Sequence, residues 1–220
     1  MKSRMLLPWM VLMIAVAPPV LAQDRTGSWE FIFDVNYQDG YDIDFNGGSS
    51  VDTDSDWGFG VGAAYHFSNQ LQVQMLLDWL NADYDATIMS GDIPPDPAFT
   101  ISGEYESFTP RVNVLYSFME GDIQPYVSAG IGWSFIDTNV PQGPPQTGCW
   151  WDPWWGYICT TYQNTRDMDE FAYQAGVGVR WDVTSGLTLR LGYEKQWIDL
   201  SEADGAPGFD VLRLGVAYRY

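Results

Sequence analysis

From Trp57 the chain reads WGFGVGAAYHF, which sets Trp57, Phe59, Val61, Ala63, Tyr65 and Phe67 at every second position. After Ser68-Asn69-Gln70 the pattern resumes with Leu71, Val73, Met75, Leu77 and Trp79. A period of two predicts strands, because successive side chains of an extended chain point to opposite faces; helical spacing fits neither segment. The pattern returns in QAGVGVRWDV, the turn Thr184-Ser185-Gly186 and LTLRLGYEKQW, and Tyr65 to Leu71 aligns without a gap on Trp181 to Leu187. Carried along the chain, the alternation predicts eight strands at about 29–38, 57–67, 71–83, 105–118, 123–136, 169–183, 187–199 and 209–220. Pro110 falls inside one of them and predicts a bulge or a shortened strand there.

The connections alternate in length. Ser68 to Gln70, Met119 to Asp122 and Thr184 to Gly186 are tight, whereas the other four are long, the longest running from about Asp137 to Met168. An even strand number with short turns at one end and long loops at the other is the pattern of an outer-membrane barrel.

The two faces separate lipid from water as the outer medium. One register collects Phe31, Phe33, Val35, Tyr37, Val112, Val114, Tyr116, Val127, Ile131, Trp133, Val177, Val179, Leu189, Leu191, Leu214, Val216, Tyr218 and Tyr220, with Lys195 as its one clear charge. The other collects glycines with Glu30, Asp34, Asp78, Asp182 and Glu194 and with Arg111, Arg180, Arg190, Arg213 and Arg219. Five acids and five arginines on one face predict a dry lumen in which each charge has a partner, since an unpaired buried charge costs several kcal/mol, on the order of 3–5. Within that network Glu194 is expected to pair with Arg213, and Glu30 with Arg219. Inward glycines such as Gly60, Gly178 and Gly192 make room for long side chains crossing a narrow lumen. Aromatic residues gather at both rims of the apolar band, as headgroup layers favour.

Composition changes the picture in two ways. Lys2 and Arg4, the apolar run Met5 to Ala17 and the small-residue site ending at Ala22 predict a signal peptide over residues 1–22, leaving a single barrel domain over 23–220. The net charge of −19 excludes nucleic acid as a default partner. Export permits a disulfide, and Cys149 and Cys159, the two cysteines of the chain, are read as such a pair and not as metal ligands.

The terminal strand DVLRLGVAYRY and the strands QPYVSAGIGWSF and FAYQAGVGVRWDV resemble those of the small eight-stranded outer-membrane β-barrel proteins of Gram-negative bacteria, the OmpA/OmpX-type and opacity-type barrels. The resemblance spans the whole chain after the signal peptide. It implies an all-β, eight-stranded antiparallel up-and-down transmembrane β-barrel in the cell outer membrane. It further implies that Leu214, Val216, Tyr218 and Tyr220 are the signal read by the barrel assembly machinery. The fold hosts adhesins, channels, enzymes and structural proteins alike, so the function has to come from sites.

Little catalytic chemistry is on offer. His66, the single histidine, stands beside a short turn at the periplasmic rim and reads as solvated or hydrogen-bonded. No nucleophile and base can be placed together, and GFGVG and GVGVR lack the helix a phosphate loop needs. DTDSD lacks the glycine and the twelfth-position glutamate of a calcium loop. No cofactor or metal is expected. The first long loop carries Asp39, Asp42, Asp44, Asp52, Asp54 and Asp56, and the second is flanked by Asp83, Asp85, Asp92, Asp96, Glu104 and Glu106. Beside lipopolysaccharide phosphates such loops would need divalent cations as bridges; the plainer reading is a solvated surface.

The longest loop holds Trp150, Trp151, Trp154, Trp155 and Tyr157 between the two cysteines. Two readings stand level: an aromatic surface ordered in advance for an extracellular ligand, or a lid folded over the barrel mouth. The expectation is a monomeric, non-catalytic barrel for surface interaction or envelope integrity, with a narrow or gated channel as the alternative.

Overall fold

A computed structural model describes residues 24–44, 50–88, 99–141, 146–162, 165–199 and 205–220. The expected signal peptide, Asp92 and Asp96 lie outside them. The described residues form twelve strands: β1 (Trp29–Gln38), β2 (Tyr41–Asp44), β3 (Ser50–Thr53), β4 (Asp56–His66), β5 (Leu71–Ile88), β6 (Phe99–Ser117), β7 (Ile123–Pro141), β8 (Gln146–Asp152), β9 (Gly156–Tyr162), β10 (Thr165–Asp182), β11 (Leu187–Ile198) and β12 (Gly208–Arg219).

Eight of these close a ring in the order β1, β4, β5, β6, β7, β10, β11, β12, every neighbour antiparallel, with β1 against β12 sealing the sheet. Closure satisfies the interior ladder groups without an edge, the condition a sheet must meet to cross a bilayer. The remaining four make two hairpins that the alternation does not reveal. β2 pairs with β3 and extends the wall through β5, while β8 and β9 pair only with each other.

Pro110 neither bulges nor shortens its strand. β6 runs unbroken, with Leu77 opposite Pro110 on the β5 side. On the β7 side pairing stops at Phe108 and resumes at Arg111 in the same register. The missing N–H therefore interrupts the ladder only locally, and the Thr109 and Ser134 hydroxyls hydrogen-bond across that gap at 3.0 Å.

On the periplasmic side of the outer aromatic residues burial alternates as expected. Along β1, Trp29, Phe31 and Phe33 are exposed and Glu30, Ile32 and Asp34 are buried. The outward surface there is apolar because its solvent is hydrocarbon. Ring contacts run around the outer rim from Phe59 through Trp79 and Phe108 to Phe135, and from Trp133 through Phe171 and Tyr173 to Trp197. Lys195 is not the one charge on this face: Asp210 stands directly opposite it, 3.1 Å away, and also accepts the Tyr193 hydroxyl at 2.7 Å.

Beyond that aromatic rim the polarity reverses. β5, β6, β7 and β10 run further out than the alternation of apolar residues indicates. Their outward positions become acidic (Asp83, Asp85, Glu104, Glu106, Asp137), while Leu80, Ala82, Tyr84, Tyr105, Ile136, Ala172, Ile198 and Phe209 turn inward as one buried apolar cluster. The outer medium has become water, so the apolar face moves inside.

Interior glycines sit opposite large side chains. A Cβ on Gly178 would lie 2.5 Å from the Tyr126 hydroxyl and one on Gly192 2.7 Å from the same oxygen. Gly178→Leu should therefore displace Tyr126 and destabilise the barrel by about 1–3 kcal/mol, read as a lower urea midpoint of the heat-shiftable band on gels; an unchanged midpoint would show that the lumen has slack.

Candidate functional site: the barrel lumen and the external aromatic hairpin

The inward register of the sheet brings ten ionic side chains into the lumen, in two layers. The outer layer centres on two arginines. Arg213 donates to Asp34 and, at 3.0 Å, to Asp78, and its Nε lies 3.3 Å from Glu194. Arg111 lies 3.0 Å from the same Glu194 oxygen and 2.6 Å from Asp78, and donates to Gln174, which passes the network on to Asn113 at 2.6 Å.

The periplasmic layer centres on Glu30, which is fully buried. It accepts from Arg180 at 2.7 Å, from Arg190, and from Gln72 at 2.8 Å, with His66 Nε2 at 2.9 Å. His66 is thus an interior hydrogen-bonding group and not a solvated one. Arg219 stands further off, 4.0 Å from Glu30 and 3.9 Å from Asp182. Between the two layers lies a small apolar layer of Ile32, Ala64, Leu76 and Ala217.

The charge balance read from the sequence omits Arg25. This residue precedes β1, so no alternation marks it, yet its side chain is buried. It donates to Asp182 and, at 2.6 Å, to Gln124. Gly27 N–H donates to the His66 carbonyl, so the segment before β1 folds beneath the periplasmic end. Among the described residues, Arg25 thus joins five arginines and five acids in the lumen. The neutral partners Gln72, Asn113 and Gln174 also escape the sequence reading, although each lies at an inward position of a strand, where a polar residue amid apolar neighbours is the available signal.

A cavity of about 20 Å³ between the layers is lined by Asp34, Gln74, Tyr126, Arg190, Glu194 and Arg213, which is room for one water molecule. With the apolar cluster above and Arg25 below, salt bridges and packed side chains span the lumen at every level described.

The second candidate site is the β8–β9 hairpin between β7 and β10. Cys149 and Cys159 are directly opposed and form a disulfide, with Cα atoms 4.1 Å apart. Next to it Trp150 faces Ile158 and Trp151 faces Tyr157, so aromatic residues occupy both faces of the ribbon. At the tip the Asp152 carboxylate accepts the N–H groups of Trp154 (2.8 Å) and Trp155 (3.0 Å), and Gly156 turns the chain at φ +77°. The tip rings are the most open of the set, Trp154 at 86% and Trp155 at 81% exposure.

On the outside of the upper wall acids face acids across the strands: Asp42 opposes Asp52, which opposes Asp85, and Glu106 opposes Asp137, which opposes Asp167. Directly opposed like charges disfavour a sheet. The Asp42 carboxylate opposite, with smaller contributions from Asp54 and Asp85, raises the pKa of the Asp52 carboxyl above its ordinary value. Among the described residues no group of three or more His, Cys, Asp or Glu is arranged to hold a metal ion.

Glu30→Gln would leave Arg180, Arg190 and Arg219 facing a neutral amide. We expect a loss of about 3–5 kcal/mol of stability, measured as the fall in urea midpoint of the folded band, with partial recovery when Arg190→Met is added. No loss would mean that water screens the layer.

The family description "outer membrane protein beta-barrel domain" matches residues 10–220. Among solved structures, Neisserial surface protein A superposes with a TM-score of 0.53 at 13% identity, covering 87% of this chain and 97% of that one. OprG from Pseudomonas aeruginosa superposes with a TM-score of 0.54 at 13% identity, covering 89% and 97%. At that identity the likeness is one of fold. Among curated proteins none matches the sequence significantly.

Proposed function

Because the chain belongs to the outer membrane protein beta-barrel domain family and resides in the cell outer membrane, we propose that it works there by surface contact, without catalysis or transport. The observation that carries this reading is the exposed set of Trp150, Trp151, Trp154, Trp155 and Tyr157 on a cross-linked hairpin that pairs with no strand of the barrel. Rings folded back as a lid would be buried against the mouth; the space beneath is instead filled by the barrel's own apolar cluster.

The disulfide and the Asp152 turn fix the hairpin before it meets anything, so less entropy is lost on contact. Trp and Tyr are the residues that dominate contact energies. The barrel supplies a rigid base.

A channel would need the Arg213 and Arg111 bridges to part and the cluster around Tyr84 and Tyr105 to open in the same event. Catalysis would need a nucleophile, a base and an oxyanion donor together at the outer rim. The outward positions of Leu214, Val216, Tyr218 and Tyr220 on and just after the strand that closes against β1 support the further reading that they present the signal for the assembly machinery. The acidic outer wall would meet lipopolysaccharide phosphates only through bridging divalent cations, and the reading takes the chain to act as a monomer.

Two measurements test this function together. In planar bilayers the wild-type chain should give no steady conductance. Cells displaying Trp154→Ala/Trp155→Ala should adhere to biological surfaces about threefold less, or worse, than cells displaying the wild type. Regular single-channel steps, with adhesion unchanged in the variant, would replace contact by transport.

A further inference from the structure

The aromatic hairpin has a chemistry that narrows what it can touch. Platforms for stacking on a flat partner present one aromatic face. This hairpin presents three: Trp150 beside Ile158 on one side, Trp151 beside Tyr157 on the other, and Trp154 with Trp155 at the end. A surface that is aromatic all round suits a medium that surrounds it, and the interfacial layer of a bilayer is such a medium.

The tip is prepared for that layer. From Gln146 to Tyr162 the hairpin contains one charged side chain, Asp152. Its Oδ1 accepts the backbone N–H groups of Trp154 and Trp155, which would otherwise enter the interface unpaired. The disulfide holds the two strands together without adding a polar group.

Charge then selects the bilayer. Of the ten basic residues, Arg25, Arg111, Arg180, Arg190, Arg213 and Arg219 are committed to the lumen, and Lys2 and Arg4 stand in the amino-terminal segment. That leaves Arg166 and Lys195 for the outer half, and Lys195 is paired with Asp210. Around the base of the hairpin the wall shows the opposed acids Glu106, Asp137 and Asp167. Such a surface is repelled by phosphate-rich or anionic leaflets and tolerates one whose outermost group is cationic. Phosphatidylcholine ends in a trimethylammonium, which aromatic faces also attract.

Direction selects the source. β7 continues six residues past Phe135 to Pro141, and β10 begins six residues before Phe171. The hairpin therefore starts roughly 20 Å of strand beyond the aromatic rim of the chain's own membrane. Resting on the reading that the hairpin makes contact, we propose that β8–β9 inserts its tryptophans into the choline-headgroup layer of a second, apposed membrane.

The test uses the full chain in nanodiscs, mixed with brominated phosphatidylcholine vesicles and floated on a density gradient, with tryptophan quenching read in the floated fraction. The wild type should float with phosphatidylcholine and lose part of its fluorescence. Trp154→Ala/Trp155→Ala should float at least about tenfold less while keeping its heat-shifted gel band. Phosphatidylglycerol vesicles should be refused at low salt and accepted in part at high salt, since screening removes the repulsion but leaves the aromatic contact.

Equal flotation of the variant, or equal binding to phosphatidylglycerol at low salt, overturns lipid insertion. If vesicles fail to bind yet cells still adhere through Trp154 and Trp155, and a glycosidase abolishes that adhesion, contact stands and the partner is a glycan. If adhesion also survives the double substitution, the contact reading falls with the proposal.

Discussion

The structure depends on one constraint: a closed sheet of eight strands encloses a lumen no wider than its own side chains, while the medium outside changes along its length. Where the wall meets hydrocarbon, Phe31, Phe33, Ile131 and Leu214 face out and the lumen takes the polar groups. Where it meets water, Asp83, Asp85 and Glu106 face out and Leu80, Tyr84 and Tyr105 pack within. A narrow lumen forces the polar section to supply its own partners, which Arg213, Arg111 and Glu30 find at hydrogen-bonding distance, while Asp34 Oδ2 and Arg219 Nη1 are buried without a hydrogen-bond partner among the described residues. The apolar section above then needs no partner beyond its own side chains.

Much of this is legible in the sequence because period two is a strong signal when the two faces differ in kind. The strand positions, the three tight turns and the split of faces all follow from alternation between lipid-facing and lumen-facing residues. The outer extensions of β5, β6, β7 and β10 are hidden for the same reason. Past Trp79 the alternation continues with its polarity reversed, as in Asn81, Ala82, Asp83, Tyr84, Asp85 and Ala86. Traced by its outward apolar residues alone, the strand ends early. Arg25 is illegible because it lies before the first strand and owes its burial to Asp182 and Gln124, far away in sequence. Pro110 misleads because a proline disturbs the ladder only on the side to which its N–H would point, and β6 keeps the other.

The hairpin relates to the barrel as tool to handle. Stiffness in the handle comes from a lumen spanned by side chains, with glycines such as Gly178 and Gly192 leaving space for Tyr126 to cross. The tool derives its shape from local chemistry alone: a disulfide between directly opposed residues, an aspartate turn and a glycine at positive φ. The two can therefore vary separately, and the surface role we propose resides in the part that the barrel does not constrain.

Reversal of polarity at the aromatic rim is the central claim, and side-chain accessibility tests it most directly. Met75→Cys, Asn81→Cys and Ala82→Cys, each made singly, place a thiol on the lipid face, on the outer wall and inside the apolar cluster. With a membrane-impermeant, water-soluble maleimide applied to intact cells, Asn81→Cys should react while Ala82→Cys and Met75→Cys stay unlabelled. Labelling of Ala82→Cys as fast as Asn81→Cys would show water inside the outer barrel and would contradict the inward packing of the apolar cluster.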